Sequence, residues 1–193
     1  MGKRLAWIIS RIFDPVVEIP LLLSVSAWWA LTNGLRWRFI VFLMVVDGLL
    51  PAIYMLWGLA RGSISDWDIT KKEQRRNLYG FTVVMHAISM VYAFMIGKEG
   101  LGGILLVFWS LAVFFALITW YWKISIHAGV NGVMVAFFNH YWGWENYWWL
   151  LVVLLLVLWS RVEIKKHHWS QVLGGSILAI VWVELGLRLV VLR

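Results

Sequence analysis

Hydrophobic residues along this chain form long blocks that are separated by short polar segments. A helix that crosses a bilayer needs about 20 apolar residues, within a range of roughly 17–25. Seven blocks approach this length, near residues 16–32, 39–60, 78–96, 101–122, 126–142, 146–160 and 170–191. The pattern therefore predicts an all-α fold, a polytopic transmembrane helical bundle of six to seven spans that forms a single integral membrane domain over residues 1–193.

The fifth and sixth blocks are the weakest of the seven. The fifth contains His127, Asn131 and Asn139, and the sixth has a short apolar core from Trp148 to Trp159. A re-entrant hairpin is the alternative for these two blocks.

Composition supports a membrane protein and excludes several other classes. Hydrophobic residues make up 62% of the chain and charged residues 14%, whereas soluble domains carry about 45–50% and about 25%. An ordinary soluble domain, a disordered chain and a nucleic-acid-binding module are therefore excluded. The chain has no cysteine, so it has no disulfide, thiolate nucleophile or cysteine-ligated metal site.

Tryptophan and positive charge indicate which membrane face each polar segment occupies. Most of the 16 tryptophans fall near the ends of the predicted spans, as expected of aromatic belts at the two membrane surfaces. Most lysines and arginines fall on the face that holds the N-terminus and residues 61–77, 123–127 and 160–168. The positive-inside rule places this face in the cytoplasm, and the N-terminus with it, at the inner or plasma membrane of a cell.

Three polar segments on this face carry most of the reactive side chains. In the first segment, residues 66–76, Lys72 and Arg75 are i,i+3 neighbours if the segment is helical. Two cations on one helical face suit a tetrahedral dianion, because arginine can bind two of its oxygens at once. A solvated loop that only sets the topology is the alternative for this segment.

The other two segments each place a histidine at the start of a predicted helix. His127 follows Ser125 at the start of the fifth block, and His167 precedes Gln171 by one helical turn at the start of the last. Helix N-termini favour anions through their free N–H groups and the macrodipole. The alternative for His127 is a histidine bonded to a nearby carbonyl. The alternative for the segment around His167 is a basic collar at the membrane interface.

Together these groups suit phosphoryl transfer. One imidazole can act as a nucleophile and a second as an acid, while guanidinium and ammonium groups stabilise charge on the transferring oxygens. The chain shows no zinc-ligand spacing and no Walker or dinucleotide glycine pattern. The sequence therefore predicts metal-free phosphoryl transfer at a membrane surface.

The third segment resembles a known signature. Ser160-Arg161, five residues, His167, three residues and Gln171 are similar to the Ser-Arg-x5-His-x3-Asp signature of the type 2 phosphatidic acid phosphatase superfamily. Ser125-Ile126-His127 resembles its Pro-Ser-Gly-His element, and Lys72 with Arg75 resembles a shortened form of its Lys…Arg element. The three elements occur in the family order across residues 66–171.

The resemblance implies a role for each matching residue. His167 is the expected nucleophile, His127 the expected general acid and Gln171 the residue that orients His167. The expected phosphate-binding residues are Lys72, Arg75, Ser125 and Arg161. No metal or other cofactor is expected, the expected substrate is a prenyl or phosphatidyl phosphate or diphosphate, and membrane lipids are the expected surroundings. The chain departs from the pattern at Gln171, where the family has Asp, and at Ile126, where it has Gly.

Two other functions remain open from the sequence. The departures at Gln171 and Ile126 are compatible with a non-catalytic lipid-phosphate binder or transporter on the same scaffold. Asp66 and Asp68 are compatible with a magnesium-dependent prenyl or glycosyl transferase.

Polar residues inside the predicted spans give three further expectations. Asp47 needs a partner or a cavity, because an isolated carboxylate is costly in a bilayer, and a transport or proton-relay role is its alternative. His86 is expected to bond a backbone carbonyl. Glu184 and Arg188 are expected to pair at i,i+4, and Gly174-Gly175 is expected to allow close helix packing.

Overall fold

The computed structural model describes residues 2–191, apart from the side chains of Asn33, Lys72 and Val191. All regular structure in this range is helical, which confirms the all-α prediction. The helices are α1 (Gly2–Ile12), α2 (Pro15–Ala30), α3 (Asn33–Leu43), a π-helical turn (Met44–Leu49), α4 (Leu50–Ala60), α5 (Lys72–Met95), α6 (Glu99–Tyr121), α7 (Ile126–Trp142), α8 (Trp144–Tyr147), α9 (Leu150–Glu163) and α10 (Trp169–Val191).

Four helices of the described chain are long and apolar enough to cross a membrane. They are Gly34–Ala60, which joins α3, the π-helical turn and α4, together with Glu73–Met95, Glu99–Tyr121 and Trp169–Val190. The remaining predicted blocks are also helical, but α2, α7 and α9 have only 16, 17 and 14 residues. Four helices are thus long and apolar enough to span a membrane, and the count of six to seven spans stays a prediction.

The described chain divides into two compact units. Residues 2–18 and 122–191 form the first unit, and residues 19–121 form the second. The single domain over residues 1–193 stays a prediction.

In the first unit, α7 packs along α10, while α9 packs against α7, α10 and α1. A buried apolar cluster joins three of these helices through Ala128, Val135, Leu150, Leu154, Leu158 and Val172. On α10, Arg188 donates to Glu184 through Nε at 2.8 Å, and its Nη2 lies 2.7 Å from the same carboxylate oxygen. The predicted Glu184–Arg188 pair is therefore confirmed.

Small residues allow the close approach of α10 to the start of α7. A Cβ atom on Gly175 would lie 2.7 Å from the carbonyl oxygen of Ser125, and one on Gly174 would lie 2.7 Å from the Trp122 ring. A Cβ on Gly132 of α7 would lie 2.9 Å from the carbonyl oxygen of Ser176. The predicted close packing at Gly174-Gly175 is confirmed.

In the second unit, α5 and α6 form a helical hairpin with a tight turn. Gly97 has φ +68°, a left-handed conformation that favours glycine. The N–H of Lys98 donates to the carbonyl of Ala93 at 3.0 Å, and that of Gly97 donates to Phe94 at 2.9 Å. This arrangement ends α5 as a glycine C-cap and reverses the chain into α6.

The glycine contact gives a stability prediction. Gly175→Ala is expected to destabilise the protein by about 1–3 kcal/mol, because the added methyl meets a backbone oxygen that cannot move aside independently. Thermal unfolding in detergent measures the change.

Gly80→Ala is the matched control, since a Cβ at Gly80 meets nothing within 4 Å in the described chain. The control is expected to be neutral or more stable, because alanine is the better helix former by about 1 kcal/mol. Equal melting temperatures for the two variants would contradict the close packing at Gly175.

Candidate functional site

Ser125 begins the candidate site by capping α7. Its hydroxyl oxygen accepts from the N–H of Ala128 at 3.4 Å, as N-cap serines do. Its own N–H donates to the carbonyl of Gln171 at 3.3 Å, in the first turn of α10. Both the cap and this bond are buried, since Ser125 has no exposed surface. The predicted second and third segments therefore meet in the first unit.

The loop between α9 and α10 folds back on the end of α9. The N–H groups of Lys166 and His167 both donate to the carbonyl of Arg161, at 3.1 and 3.2 Å. Lys165 adopts a left-handed conformation with φ +57° to make this turn. The ammonium group of Lys123 also donates to the carbonyl of Lys166 at 2.9 Å. The five-residue spacing between Arg161 and His167 is thus the length of a turn that brings the histidine back to the arginine backbone.

The Arg161 side chain is almost fully buried, with 1% of its surface exposed. Its Nη1 donates to the hydroxyl of Ser10 at 2.5 Å and contacts Nε2 of His127 at 3.4 Å. A guanidinium group can only donate, so Nε2 of His127 is the acceptor and carries no proton in this contact. The structure thereby brings a predicted phosphate-binding residue into contact with the predicted general acid.

The orientation of the His167 ring follows from its contacts with Gln171. The side-chain oxygen of Gln171 lies 3.2 Å from the backbone N–H of His168, which can only donate, and 3.0 Å from Nδ1 of His167. The oxygen can only accept, so Nδ1 carries the ring proton and Nε2 of the neutral ring keeps its lone pair. Gln171 thus selects the tautomer in which Nε2 is nucleophilic.

The buried network also contains residues that were absent from the predicted site. The Asn131 side chain donates to the carboxylate of Glu18 at 3.0 Å and to the carbonyl of His127 at 3.0 Å. Glu18 is buried, and its other carboxylate oxygen has no hydrogen-bond partner among the described residues. The Glu18 carboxylate inside the apolar block 16–32 is a sequence feature from which a buried polar contact could have been predicted. Nothing in the sequence indicates that Ser10 belongs to the site.

Lys72 and Arg75 belong to the second unit. α5 begins at Lys72, whose side chain lies outside the described residues. The buried Arg75 donates through Nε to the carbonyl of Ile69 at 2.8 Å and through Nη2 to that of Asp68 at 3.3 Å. These bonds hold the loop before α5, where Ile69 has φ +45°. Their predicted phosphate-binding roles stay predictions.

The carboxylate of Asp66 also has a place in this loop. It accepts from the N–H of Thr70 at 3.1 Å and from the Thr70 hydroxyl at 2.8 Å. Within residues 2–191, no group of three or more His, Asp or Glu side chains is arranged to hold a metal ion. The contacts of Asp66 stabilise the loop, and the magnesium-dependent alternative stays a prediction.

Comparisons with protein-family models, curated proteins and solved structures find no significant match to this chain. The interpretation of the site therefore depends on its own geometry and on the motif resemblance.

The contact between Gln171 and His167 gives a spectroscopic prediction. Gln171→Leu is expected to let His167 populate both neutral tautomers, because the acceptor that fixes the proton on Nδ1 is removed. The ¹⁵N chemical shifts of the two ring nitrogens measure the tautomer ratio. Gln171→Asp keeps an acceptor and is expected to retain the Nδ1–H form. An unchanged ratio in Gln171→Leu would contradict the assigned tautomer.

Proposed function

We propose that this chain is a metal-independent membrane lipid phosphatase that works through a phosphohistidine. The observation that carries the proposal is the joint packing of His127, Arg161, His167 and Gln171 in the first unit. The motif resemblance assigns these same residues to nucleophile, acid and phosphate-binding roles. Four helices that can cross a membrane are consistent with a substrate that carries a lipid tail.

In the first step, Nε2 of His167 attacks phosphorus and forms a P–N bond while the bond from phosphorus to the lipid oxygen breaks. The Gln171 oxygen keeps its bond to Nδ1–H and holds the ring in line. His127 gives a proton to the departing lipid oxygen. In the second step, water attacks phosphorus, the P–N bond breaks and returns its electron pair to Nε2 of His167, His127 takes a proton from that water, and inorganic phosphate leaves.

The contact between Arg161 and His127 has a part in this cycle. At rest the guanidinium donates to Nε2 of His127, so this nitrogen cannot also carry the proton that the leaving oxygen needs. A bound phosphate attracts the guanidinium, because charge-assisted bonds to phosphate are stronger than a bond to a neutral ring. Substrate binding would thereby release Nε2 to be protonated and prepare the acid.

Two further groups support a phosphate at this position. The Ser125 oxygen accepts from Ala128, and its hydroxyl proton can be donated to a phosphate oxygen. The N-terminus of α7 starts at this serine and favours an anion through its free N–H groups. The substrate class we propose is a polyprenyl or phosphatidyl phosphate or diphosphate, and the cytoplasmic orientation of the site is part of the same proposal.

A second function is favoured by the neutral side chain of Gln171. An amide orients imidazole, but it cannot balance positive charge on the ring as a carboxylate does. A lipid-phosphate binder or transporter needs the phosphate-binding groups without an efficient nucleophile. Release of inorganic phosphate from lipid substrates separates the two functions.

The decisive test is release of inorganic phosphate in detergent with EDTA present. The substrates are prenyl phosphate, prenyl diphosphate, phosphatidic acid and phosphatidylglycerophosphate. His167→Ala is expected to reduce release on the order of 10³-fold or more, because the nucleophile is lost. His168→Ala is the matched control, since this neighbouring histidine is exposed and has no assigned role.

Two results would contradict the phosphatase. Release from none of the four lipids by the wild type, with lipid phosphate still bound, would favour the binder. Activity that requires a divalent cation would contradict the metal-free mechanism.

The neutral side chain of Gln171 gives a further rate prediction. Gln171→Asp is expected to raise the rate of phosphate release about tenfold, which corresponds to roughly 1.4 kcal/mol of transition-state stabilisation. The cause is the negative charge beside Nδ1, which stabilises positive charge on the ring as His167 attacks. Single-turnover kinetics measure the step, with Gln171→Asn as the uncharged control. A rate for Gln171→Asp at or below that of the wild type would contradict this role.

A further inference from the structure

A second buried polar cluster lies in the second unit, in two helices that are apolar enough to cross a membrane. Asp47 lies 2.7 Å from Nδ1 of His86 through Oδ1, and its Oδ2 accepts from the Ser89 hydroxyl at 2.5 Å. All three residues are more than nine-tenths buried. The expectation that His86 bonds a backbone carbonyl is wrong, because its partner is a carboxylate 39 positions away along the chain.

The helix departs from regular α-helical geometry where the cluster forms. Asp47 lies in the π-helical turn Met44–Leu49, between two α-helical segments. Single π-helical turns are uncommon and are frequently found at functional sites. The next residue, Gly48, packs closely on Pro20, since a Cβ atom there would lie 3.0 Å from the proline side chain. The continuous helix is thus locally rearranged at the residue that carries the carboxylate.

With Asp47 ionised, each of two protonation states of His86 leaves one requirement unmet. With Asp47 ionised and His86 neutral, Nδ1–H donates to the carboxylate, and the cluster carries a net negative charge. With one more proton on Nε2, the imidazolium and the carboxylate balance, but Nε2–H then needs an acceptor. Nε2 is buried and has no hydrogen-bond partner among the described residues. A net charge inside a bilayer is costly, so a proton on Nε2 removes the net charge of the cluster.

No other charged group forms an ion pair with Asp47 within the described chain. The cluster's hydrogen bonds and ion pairs there are all internal to Asp47, His86 and Ser89. The π-helical turn packs against α3, α4 and α5, while α5 packs along α6, and Gly48 lies close to Pro20 of α2. Residues 19–30 of α2 contain no charged or titratable residue. On the other four helices, besides His86, these residues are Arg36, Arg38, Tyr54, Lys72, Glu73, Arg75, Arg76, Tyr79, Tyr92, Glu99 and Tyr121. Tyr54 stacks on Phe81 and Tyr92 on Phe39.

We propose that Asp47, His86 and Ser89 form a proton-binding site within the second unit. Nε2 of His86 takes up one proton from water and releases it again, while the Asp47 carboxylate balances the charge of the imidazolium. Ser89 is a positioning residue, because its hydroxyl holds the second oxygen of Asp47. The site does not depend on the phosphatase proposal, since it uses none of the residues assigned to that reaction.

The protein contains a second carboxylate–imidazole pair that serves as a comparison. In the first unit, Nδ1 of His140 lies 3.5 Å from Oε2 of Glu184. Glu184 is about one-third exposed and is already paired with Arg188. That carboxylate therefore has a cation and solvent to balance it. His140 is the matched control for the buried pair.

The test is ¹⁵N NMR of histidine-labelled full-length protein in lipid nanodiscs, titrated between about pH 5 and 9. One histidine signal, identified by its loss in His86→Gln, is expected to change from the Nδ1–H form to the doubly protonated form within this range. In Asp47→Asn, His86 is expected to stay in a singly protonated form across this pH range, because an amide cannot balance the charge of the imidazolium. His140→Gln is expected to leave the His86 change of form at the same pH as in the wild type.

A His86 ring that keeps Nε2 unprotonated throughout the range would overturn the proposal. So would a titration that is the same in the wild type and in Asp47→Asn. Each variant is first checked for a single size-exclusion peak and wild-type helical circular dichroism. If His86→Gln fails this check, Ser89→Ala identifies the signal, since loss of its bond to Asp47 is expected to shift the His86 resonance and no other.

Discussion

The buried Arg161 guanidinium is the constraint on which the first unit's candidate site depends. A charge that is taken out of solvent must be hydrogen-bonded, because leaving it unpaired costs several kcal/mol. Nη1 of Arg161 donates to Ser10 of α1 and to His127 of α7, while its carbonyl accepts from His167. Helices that are far apart in the sequence are therefore held at one point by a single residue.

Each of the two units contains a buried histidine whose Nδ1 contacts a side-chain oxygen, and the two oxygens belong to different chemical groups. In each, a buried histidine donates Nδ1–H to a neighbouring side chain, which fixes the tautomer and leaves Nε2 for chemistry. The acceptor for His167 is the neutral amide of Gln171, so that ring is held without added charge. The acceptor for His86 is the carboxylate of Asp47, which brings a charge to that ring. In the two proposals made above, the choice of acceptor separates a nucleophile from a group that exchanges protons.

The sequence predicted the helices and the contacts between residues that are close together along the chain. Hydrophobic blocks located the helices, and i,i+4 spacing placed Gln171 next to His167 and Glu184 next to Arg188. It did not predict Ser10 or Glu18 in the site, because their partners are 151 and 113 positions away and no periodicity encodes such contacts. The partner of His86 was predicted wrongly for the same reason, because Asp47 is 39 positions away. The number of spans stays open because α2, α7 and α9 are shorter than a typical span.

Residue 171 performs two separate tasks with two separate parts. Its backbone carbonyl accepts from Ser125 and so ties α7 to α10, while its side chain orients His167. Any amino acid supplies the carbonyl, so the bond between α7 and α10 does not depend on which side chain is present. An exchange of amide for carboxylate at this position would therefore change the charge beside His167 and keep the bond between α7 and α10. The charge at the candidate site and the packing of two helices are thus set by different parts of one residue.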